Sequence, residues 1–564
     1  MELYSFRLYT VFVKRLLIPA AALTCTLALI VWRIYANKAE PQPEEVAAHT
    51  YSKQAPTQPA PKQAVVSTDP ANVAIQPNLA DTAATEWAEE NPEEDVIPDE
   101  WLLQFGSRAE MEEAMRLAEA AGIQIRGRID ALKALRLRTT NPAQLDALGQ
   151  ISANAEELGA NYFVRLPAPP PAVDDASPTG NTGFGAATLD FLGVPKNHEN
   201  FGKGTTIAIL DTGVDRSHPA FQNARIQSFS LVDNPNTGDL FGHGTAVASL
   251  IVGSGDSAPG IAPAAELLSF QVMNANGVSD AFTIAQGIVQ AVDAGADVIS
   301  LSLGSYGNSA LLENAVNYAR NRQIAIVAAA GNDGAGRLTY PAQYPGVVGV
   351  AAIDADSRPA YFSNYGDGVD IAAPGIHVYS AGKDGKIVGF NGTSASTPLV
   401  AGAIAITLAE QPHFAPTNAV SHVLANTNDA GAPGHDPRYG AGILNVERFR
   451  KSNPGYDIAI ADYYVDLSKS DASAIKMAIS VQNRGTEYIS GIRLDYTIDG
   501  IEQTAYLHNL NENQITHHTV LLDPAKVVDG PGTEVQAVVQ HDRQSDVAIE
   551  NNIRSRLIRI TTTP

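Results

Sequence analysis

Three side chains of the types that together activate a hydroxyl lie far apart in this chain. Asp211 stands in Ile209-Leu210-Asp211-Thr212-Gly213, His243 in Gly242-His243-Gly244-Thr245, and Ser394 in Gly392-Thr393-Ser394-Ala395-Ser396-Thr397-Pro398. A serine hydroxyl is a weak nucleophile at neutral pH. It needs a base to take its proton, and the base needs a third group to fix its tautomer and to stabilise its charged form. The order along the chain is Asp, His, Ser. The alternative order of Ser, acid, His places its serine in a Gly-x-Ser-x-Gly turn, and here the residue two after Ser394 is Ser396, so that turn is absent. Taken singly, each segment is an ordinary turn or polar stretch. Their joint occurrence, in order, is what points to nucleophilic catalysis.

The surrounding residues predict how these groups are positioned. Thr206–Leu210 is a β-branched, apolar run that reads as a buried strand, which puts Asp211 at a strand's carboxyl end, where open α/β sheets place their sites. His243 precedes an apolar stretch that reads as a buried helix. Ser394 precedes a second one, Thr397 to Leu408, with Pro398 placed in its first turn. Both reactive groups then lie at helix N-termini, whose partial positive charge favours negative charge developing at Ser394. A fourth segment, Ala328-Ala329-Ala330-Gly331-Asn332-Asp333-Gly334, follows the strand-like Ile324–Val327. Acyl transfer passes through an oxyanion that needs a preorganised donor, and Asn332 is the candidate, beside the Ser394 backbone N–H.

With these motifs in place, residues 183–449 resemble a subtilisin-like serine protease, a subtilase. Further matches are Asp215 with His218-Pro219, Gly260-Ile261-Ala262-Pro263, Ser302-Leu303-Gly304, Tyr340-Pro341-Ala342, Phe362-Ser363-Asn364-Tyr365-Gly366 and Ala373-Pro374-Gly375. The resemblance implies an α/β fold, a parallel sheet flanked by helices. It implies that Ser302, Leu303 and Gly304 pair with a substrate strand, and that Ala329, Ala330 and Gly331 form the other wall of the pocket for the residue before the scissile bond. Thr339 is expected near the base of that pocket, where a medium or large apolar side chain would fit, and Asp333 at its rim, where it would draw a basic one. Ala246, Ser249, Ala395 and Leu399 depart from the family's usual residues without touching the catalytic roles. The short Ser254–Pro259 loop offers only Asp256 as an acidic ligand, and a calcium site needs six to eight oxygens, so no metal or other cofactor is expected.

The remainder of the 564 residues reads as accessory segments. Arg7, Lys14 and Arg15 precede an apolar run from Leu16 to Trp32, followed by Glu40, Glu44 and Glu45. This predicts a transmembrane signal-anchor within 1–36, with the rest of the chain outside the cytoplasm. A cleaved signal is the alternative, disfavoured by the bulky Trp32-Arg33-Ile34-Tyr35 flank. The single cysteine, Cys25, lies inside the run and permits no internal disulfide. Residues 37–97, rich in Pro, Ala and Glu, read as a disordered tether. Residues 98–168 read as β-α-β-β-α-β, a small α+β unit that, directly upstream of such a domain, resembles the family's inhibitory propeptide. The expected maturation bond lies between Asp174 and Leu189, within the linker 169–182 or just after it. The catalytic domain is assigned to 183–452. Residues 453–564 read as about seven short strands in an all-β, immunoglobulin-like sandwich, with a hairpin at Asp499-Gly500. Asn483-Arg484-Gly485-Thr486 and Glu550-Asn551-Asn552 there resemble CARDB-type adhesion modules.

A net charge of −23 excludes nucleic acid as a partner, because nothing offsets phosphate charge. The chain is therefore expected to be a membrane-anchored, extracytoplasmic serine endopeptidase of a bacterium, at the periplasm or cell surface. It would be made as a self-processing zymogen, with protein or peptide substrates and its own propeptide as intramolecular inhibitor. The rival readings are a catalytically inactive scaffold and an adhesion protein that acts through the C-terminal sandwich.

Overall fold

From Val96 the chain runs through strand β1 (Val96–Gln104), helix α1 (Arg108–Ala120), strands β2 (Gln124–Ile129) and β3 (Ala134–Arg138), helix α2 (Ala143–Ser152) and strand β4 (Glu157–Arg165). The computed structural model describes residues 96–166, 182–232, 242–254, 258–274, 276–450, 455–465, 470, 474–528, 530–542 and 546–558. The β-α-β-β-α-β order is the one the sequence predicts. Ser107 caps α1 in a reciprocal box with Glu110, and Gly122 leaves the helix at φ 69°. Strand β3 starts at Ala134 because Asp130–Leu132 form one 3-10 turn closed by Lys133 at φ 52°. Alternation along β1 sends Trp101 and Leu103 under the two helices, among Met111, Leu148 and Ile151, while Leu102 faces the other way. Leu102, Ile129, Ala134 and Val164 there join the core of the following domain.

That domain contains β5 (Thr206–Asp211), β6 (Arg225–Ser230), α3 (His243–Val252), β7 (Glu266–Gln271), β8 (Val278–Asp280), α4 (Ala281–Asp293) and β9 (Val298–Leu301). It continues with α5 (Ala310–Arg320), β10 (Ala325–Ala329), β11 (Val347–Ile353), β12 (Ile371–Pro374), β13 (Val378–Ala381), β14 (Ile387–Phe390), α6 (Thr393–Glu410) and α7 (Pro416–Ala425). Seven strands form one parallel sheet in the order β12-β11-β10-β9-β5-β7-β6. β9, β10 and β11 are buried at every position, as strands covered on both faces must be, and so read as unbroken apolar runs. From β5 the chain goes to the edge strand β6, returns to β7 beside β5, and then resumes on the other side of β5 at β9. The carboxyl ends of β5 and β9 thus flank a topological switch point, the crevice where α/β sheets hold their ligands.

Helix α6 corrects one expectation. It begins at Thr393 rather than Thr397, so Ser394 lies inside its first turn and Pro398 inside the second. Gly392, at φ 121°, makes the turn that permits the earlier start.

The C-terminal part is all-β: β15 (Ile458–Val465), β16 (Ile475–Asn483), β17 (Arg493–Ile498), β18 (Ile501–Tyr506), β19 (Ile515–Leu522), β20 (Thr533–Gln540) and β21 (Ile553–Ile558). A three-stranded sheet β15-β16-β19 faces a four-stranded sheet β18-β17-β20-β21 over a common apolar core. Asp499 and Gly500, both at positive φ, close the predicted hairpin, and β18 starts directly after them.

No helix among the described residues is long and apolar enough to cross a membrane. The predicted span Leu16–Trp32 with Cys25, residues 37–95 of the tether, Asp256 and residues 174–181 of the maturation stretch lie outside them, while Val96 and Ile97, assigned to the tether, open β1.

Candidate active site

Three adjacent strands deliver the candidate groups to one end of the sheet. Asp211 is the last residue of β5, Ser302 follows β9, and Asn332 follows β10. Helices α3 and α6 pack against this sheet, with His243 opening the first and Ser394 in the first turn of the second.

Asp211 is buried. Its Oδ1 accepts the Thr212 backbone N–H at 2.7 Å, and the two carboxylate oxygens lie 2.9 and 3.0 Å from His243 Nδ1. Thr212 Oγ1 accepts the Gly244 N–H at 3.0 Å, tying the start of α3 to the end of β5. A Cβ on Gly244 would strike the Gly213 carbonyl, so the close approach of helix and strand requires glycine there. Phe390 packs edge-on against the imidazole, with 5.2 Å between ring centroids. A bond from Nδ1 to a carboxylate puts the proton on Nδ1 and leaves Nε2 as the basic nitrogen.

Ser394 and Ser302 are held by each other. Pro398 has no N–H to offer the Ser394 carbonyl four residues earlier, so that carbonyl lacks its helical donor. Ser302 Oγ supplies one at 3.0 Å, and in return Ser394 Oγ donates to the Ser302 carbonyl at 3.3 Å. The proline that looks disruptive in sequence thus binds the candidate nucleophile to the end of β9. The Ser394 N–H is among the first of α6, which have no intrahelical acceptor.

Asn332 is oriented through its carbonyl. Its Oδ1 accepts both the N–H and the Oγ1–H of Thr393 at 2.9 Å. Its Nδ2 is directed to the Gly392 side, where a Cβ would stand only 2.8 Å away. The amide donor therefore lies beside the turn that carries Ser394.

The predicted substrate edge is occupied by this chain. Arg165, the last residue of β4, exchanges two backbone hydrogen bonds with Gly304, at 3.3 and 3.2 Å. On its other side β4 pairs antiparallel with β8, and the Leu166 N–H reaches the Gly277 carbonyl at 3.1 Å. The end of the N-terminal unit is thereby a strand inserted between residues 277–280 and Gly304. Leu303 and Ala329–Ala330 are buried beside it, and Thr339 lies between the facing glycines Gly304 and Gly331, as expected for a pocket base. Asp333 accepts the Tyr306 hydroxyl at 2.7 Å, and the Arg337 guanidinium lies 4.3 Å from the Tyr306 ring centroid. Burial, with Asp333 beside it, pushes the Tyr306 hydroxyl up to about 12. The rim carboxylate is thus already engaged. The described residues include no cluster of three or more His, Cys, Asp or Glu side chains able to hold a metal ion.

Residues 277–280, Thr393 and Asn364 are the parts of this site that sequence reasoning missed. Asn364 sits in a segment that carries the family resemblance, yet nothing in its local pattern marks what it touches. The 277–280 edge is created by a pairing more than a hundred residues long, which periodicity does not encode.

The profile of the Subtilase family matches residues 202–442. Subtilisin Savinase of Lederbergia lenta is 41% identical over 248 residues, which are 44% of this chain and 90% of that protein. An alkaline protease of Shouchella clausii is 41% identical over the same length, 64% of its own. Among solved structures, fervidolysin from Fervidobacterium pennivorans, a keratinolytic enzyme related to subtilisin, aligns over 79% of this chain and 71% of its own at a TM-score of 0.54. At 21% identity that likeness speaks for the fold alone.

Proposed function

The chain belongs to the subtilase family and is a serine peptidase of the subtilisin type, and we propose that it is an endopeptidase with Asp211, His243 and Ser394 as its triad, made as a latent precursor. In this reading His243 Nε2 takes the proton of Ser394 Oγ as that oxygen bonds to the substrate carbonyl carbon. The carbonyl electrons move onto oxygen, where Asn332 Nδ2 and the Ser394 N–H hold the charge. Collapse breaks the C–N bond, and His243 returns the proton to the leaving amine. Water then repeats the sequence on the acyl-enzyme. Asp211 stays ionised and stabilises the imidazolium.

The observation that carries the reading is the Asp211–His243 contact, 2.9 Å in a buried setting, at the same sheet end as Ser394 and Asn332. Latency is supported by the Arg165–Gly304 pairing, since a strand already on the substrate edge excludes another. Anchoring by Leu16–Trp32, with the catalytic part outside the cytoplasm, remains part of the proposal on sequence grounds. A role for the sandwich in holding the enzyme at a surface belongs to it on the same grounds.

The test compares the intact mass of the full chain with that of a Ser394→Ala variant, together with labelling by a serine-directed phosphonate. Loss of an N-terminal piece, and labelling, in the wild type alone are expected. If both proteins are folded, stay whole and resist the phosphonate, the endopeptidase reading fails.

A further inference from the structure

Asn332 can serve an oxyanion only if the loop carrying it is fixed to within a fraction of an ångström. A displacement of about 1 Å is enough for a rate loss on the order of 10²-fold. Thr393 fixes the amide carbonyl from one side. The backbone of residues 331–335 is held by the Phe362 carbonyl on the Gly334 N–H, by the Tyr365 N–H on the Ala335 carbonyl and, at most points, by Asn364, fully buried at the far side of the loop. Its Oδ1 accepts the N–H groups of both Asp333 and Ala335, each at 2.9 Å, which bracket the turn directly after Asn332. Its own N–H donates to the Gly331 carbonyl at 3.0 Å, on the other side of Asn332. Its Nδ2 donates to the Tyr306 hydroxyl at 2.9 Å, and that hydroxyl donates on to Asp333 Oδ2. Gly331, at φ 113°, has no room for a Cβ because Asn364 Nδ2 occupies the place.

We infer that Asn364 is a positioning residue for the peptide-hydrolysis step, clamping the loop that aims Asn332, with Tyr306 closing the clamp. The inference rests on the proposed oxyanion role of Asn332. Three hydrogen bonds from Asn364 reach the loop directly, on both sides of Asn332, and a fourth reaches it through the Tyr306 hydroxyl. A residue serving only packing would not need two acceptor bonds to two N–H groups of one turn. The buried amide also explains why the rim carboxylate is held rather than offered to substrate. Tyr306, fixed by Asn364, occupies it.

A double-mutant cycle on protein produced as the full chain tests this, with peptide hydrolysis and thermal unfolding measured for Asn364→Ala, Asn332→Ala and the double variant. Asn364→Ala is expected to lower kcat by roughly 10- to 100-fold, with KM changed by less than about 3-fold. In the Asn332→Ala background the same change should lower kcat by less than about 3-fold, because the donor being aimed is gone. An equal loss in both backgrounds, or an unchanged kcat in folded Asn364→Ala protein, overturns the inference. If Asn332→Ala alone leaves kcat intact, the oxyanion assignment falls first and this inference with it. Should Asn364→Ala show no folding transition, Tyr306→Phe takes its place in the cycle. A roughly 2- to 10-fold loss of kcat that disappears without Asn332 then supports the clamp, and no loss overturns it.

Discussion

The two accessory lobes are attached to the peptidase core in opposite ways. The N-terminal lobe is joined by apolar packing of Leu102, Ile129, Ala134 and Val164, by backbone hydrogen bonds from β4 to β8 and Gly304, and by one largely covered polar network in which every partner is matched. Arg136 lies 2.6 Å from Glu100 and 3.0 Å from Asp280, and Asn161 Nδ2 donates to both carboxylates, at 2.9 and 3.0 Å. Asp280 also caps α4 through the Thr283 N–H. The C-terminal sandwich is joined through buried side-chain charges. Arg448 donates to the Thr427 carbonyl and to Asn513, Gln482 bridges Thr427 and Asp429, and Asp462 accepts the Gly431 N–H and pairs with Arg556. Here the matching is incomplete: Arg448 Nε, Asp429 Oδ2 and Asp436 Oδ2 meet no hydrogen-bond partner among the described residues. Burial pulls Arg448 down to about 9 and Arg484 to about 10, and pushes Asp429 up to about 7.

The contrast teaches what each joint is suited to. Backbone pairing at the substrate edge is the interaction a peptide substrate would itself make, so the N-terminal lobe is bound by forces that a competitor can replace. The sandwich joint carries desolvated charge whose compensation depends on the whole interface staying closed, which suits a permanent attachment and makes that attachment sensitive to pH.

The largest effect is expected from removing the centre of the matched network. Arg136→Met leaves Glu100 and Asp280 buried without their cation, a loss of roughly 3–5 kcal/mol for a buried pair. In a Ser394→Ala background, where the lobe stays on the chain, the Arg165 and Leu166 amides that bond Gly304 and Gly277 should exchange with solvent roughly 10²-fold faster or more. Amides of β16 and β19 should be unaffected. Unchanged protection at Arg165 and Leu166 would mean that the strand pairing alone holds the lobe, and the network would lose its place in the comparison.

The unmatched joint is tested by Asp429→Asn. A carboxyl whose pKa is higher in the fold than in the unfolded chain holds its proton more tightly when folded. Stability therefore falls as pH rises from about 4 to about 7, and stays level above that. Asp436 and Asp462 add to this shift, while Arg484 and the Gly434 N–H, which Asp429 Oδ1 accepts at 2.9 Å, oppose it. Asparagine keeps the Gly434 bond and removes the charge. The variant should be more stable than wild type at pH 8, by on the order of 2–4 kcal/mol, and this gain should shrink to less than about 1 kcal/mol at pH 4. Denaturant unfolding at the two pH values decides this, and a gain of equal size at both would remove titration from the account.

These two joints also mark where the sequence stops being legible. The catalytic sheet could be read because strands buried on both faces are continuous apolar runs, and because Asp211, His243, Asn332 and Ser394 stand in short motifs at element ends. The N-terminal lobe is legible because Ser107 and Gly122 delimit α1. Hydrophobic pattern does not say that Leu102 faces a second domain while Trp101 and Leu103 face the first, since all three are simply apolar. Nor does it say that Arg136 is largely covered and Arg448 buried, because an arginine is covered only when a distant surface closes over it. The apolar pattern places the start of α6 too late for a related reason. Pro398 is tolerated in the second turn because Ser302, ninety-two residues away, bonds the carbonyl that the proline leaves open.

The smallest effect separates docking from the lobe's own folding. Ser107 accepts the Glu110 N–H at 3.2 Å, and Glu110 accepts the Ser107 N–H at 2.7 Å, on an exposed surface that touches neither joint. Ser107→Ala removes one half of this box and should lower stability by about 1 kcal/mol. If the lobe unfolds as a unit separate from the core, that loss will appear in the exchange of α1 and α2 amides and leave the Arg165 and Leu166 amides at wild-type protection. If the Arg165 and Leu166 amides loosen together with α1, the lobe's internal stability and its hold on the substrate edge are one quantity. The strand pairing at Gly304 is then only as persistent as the small domain behind it.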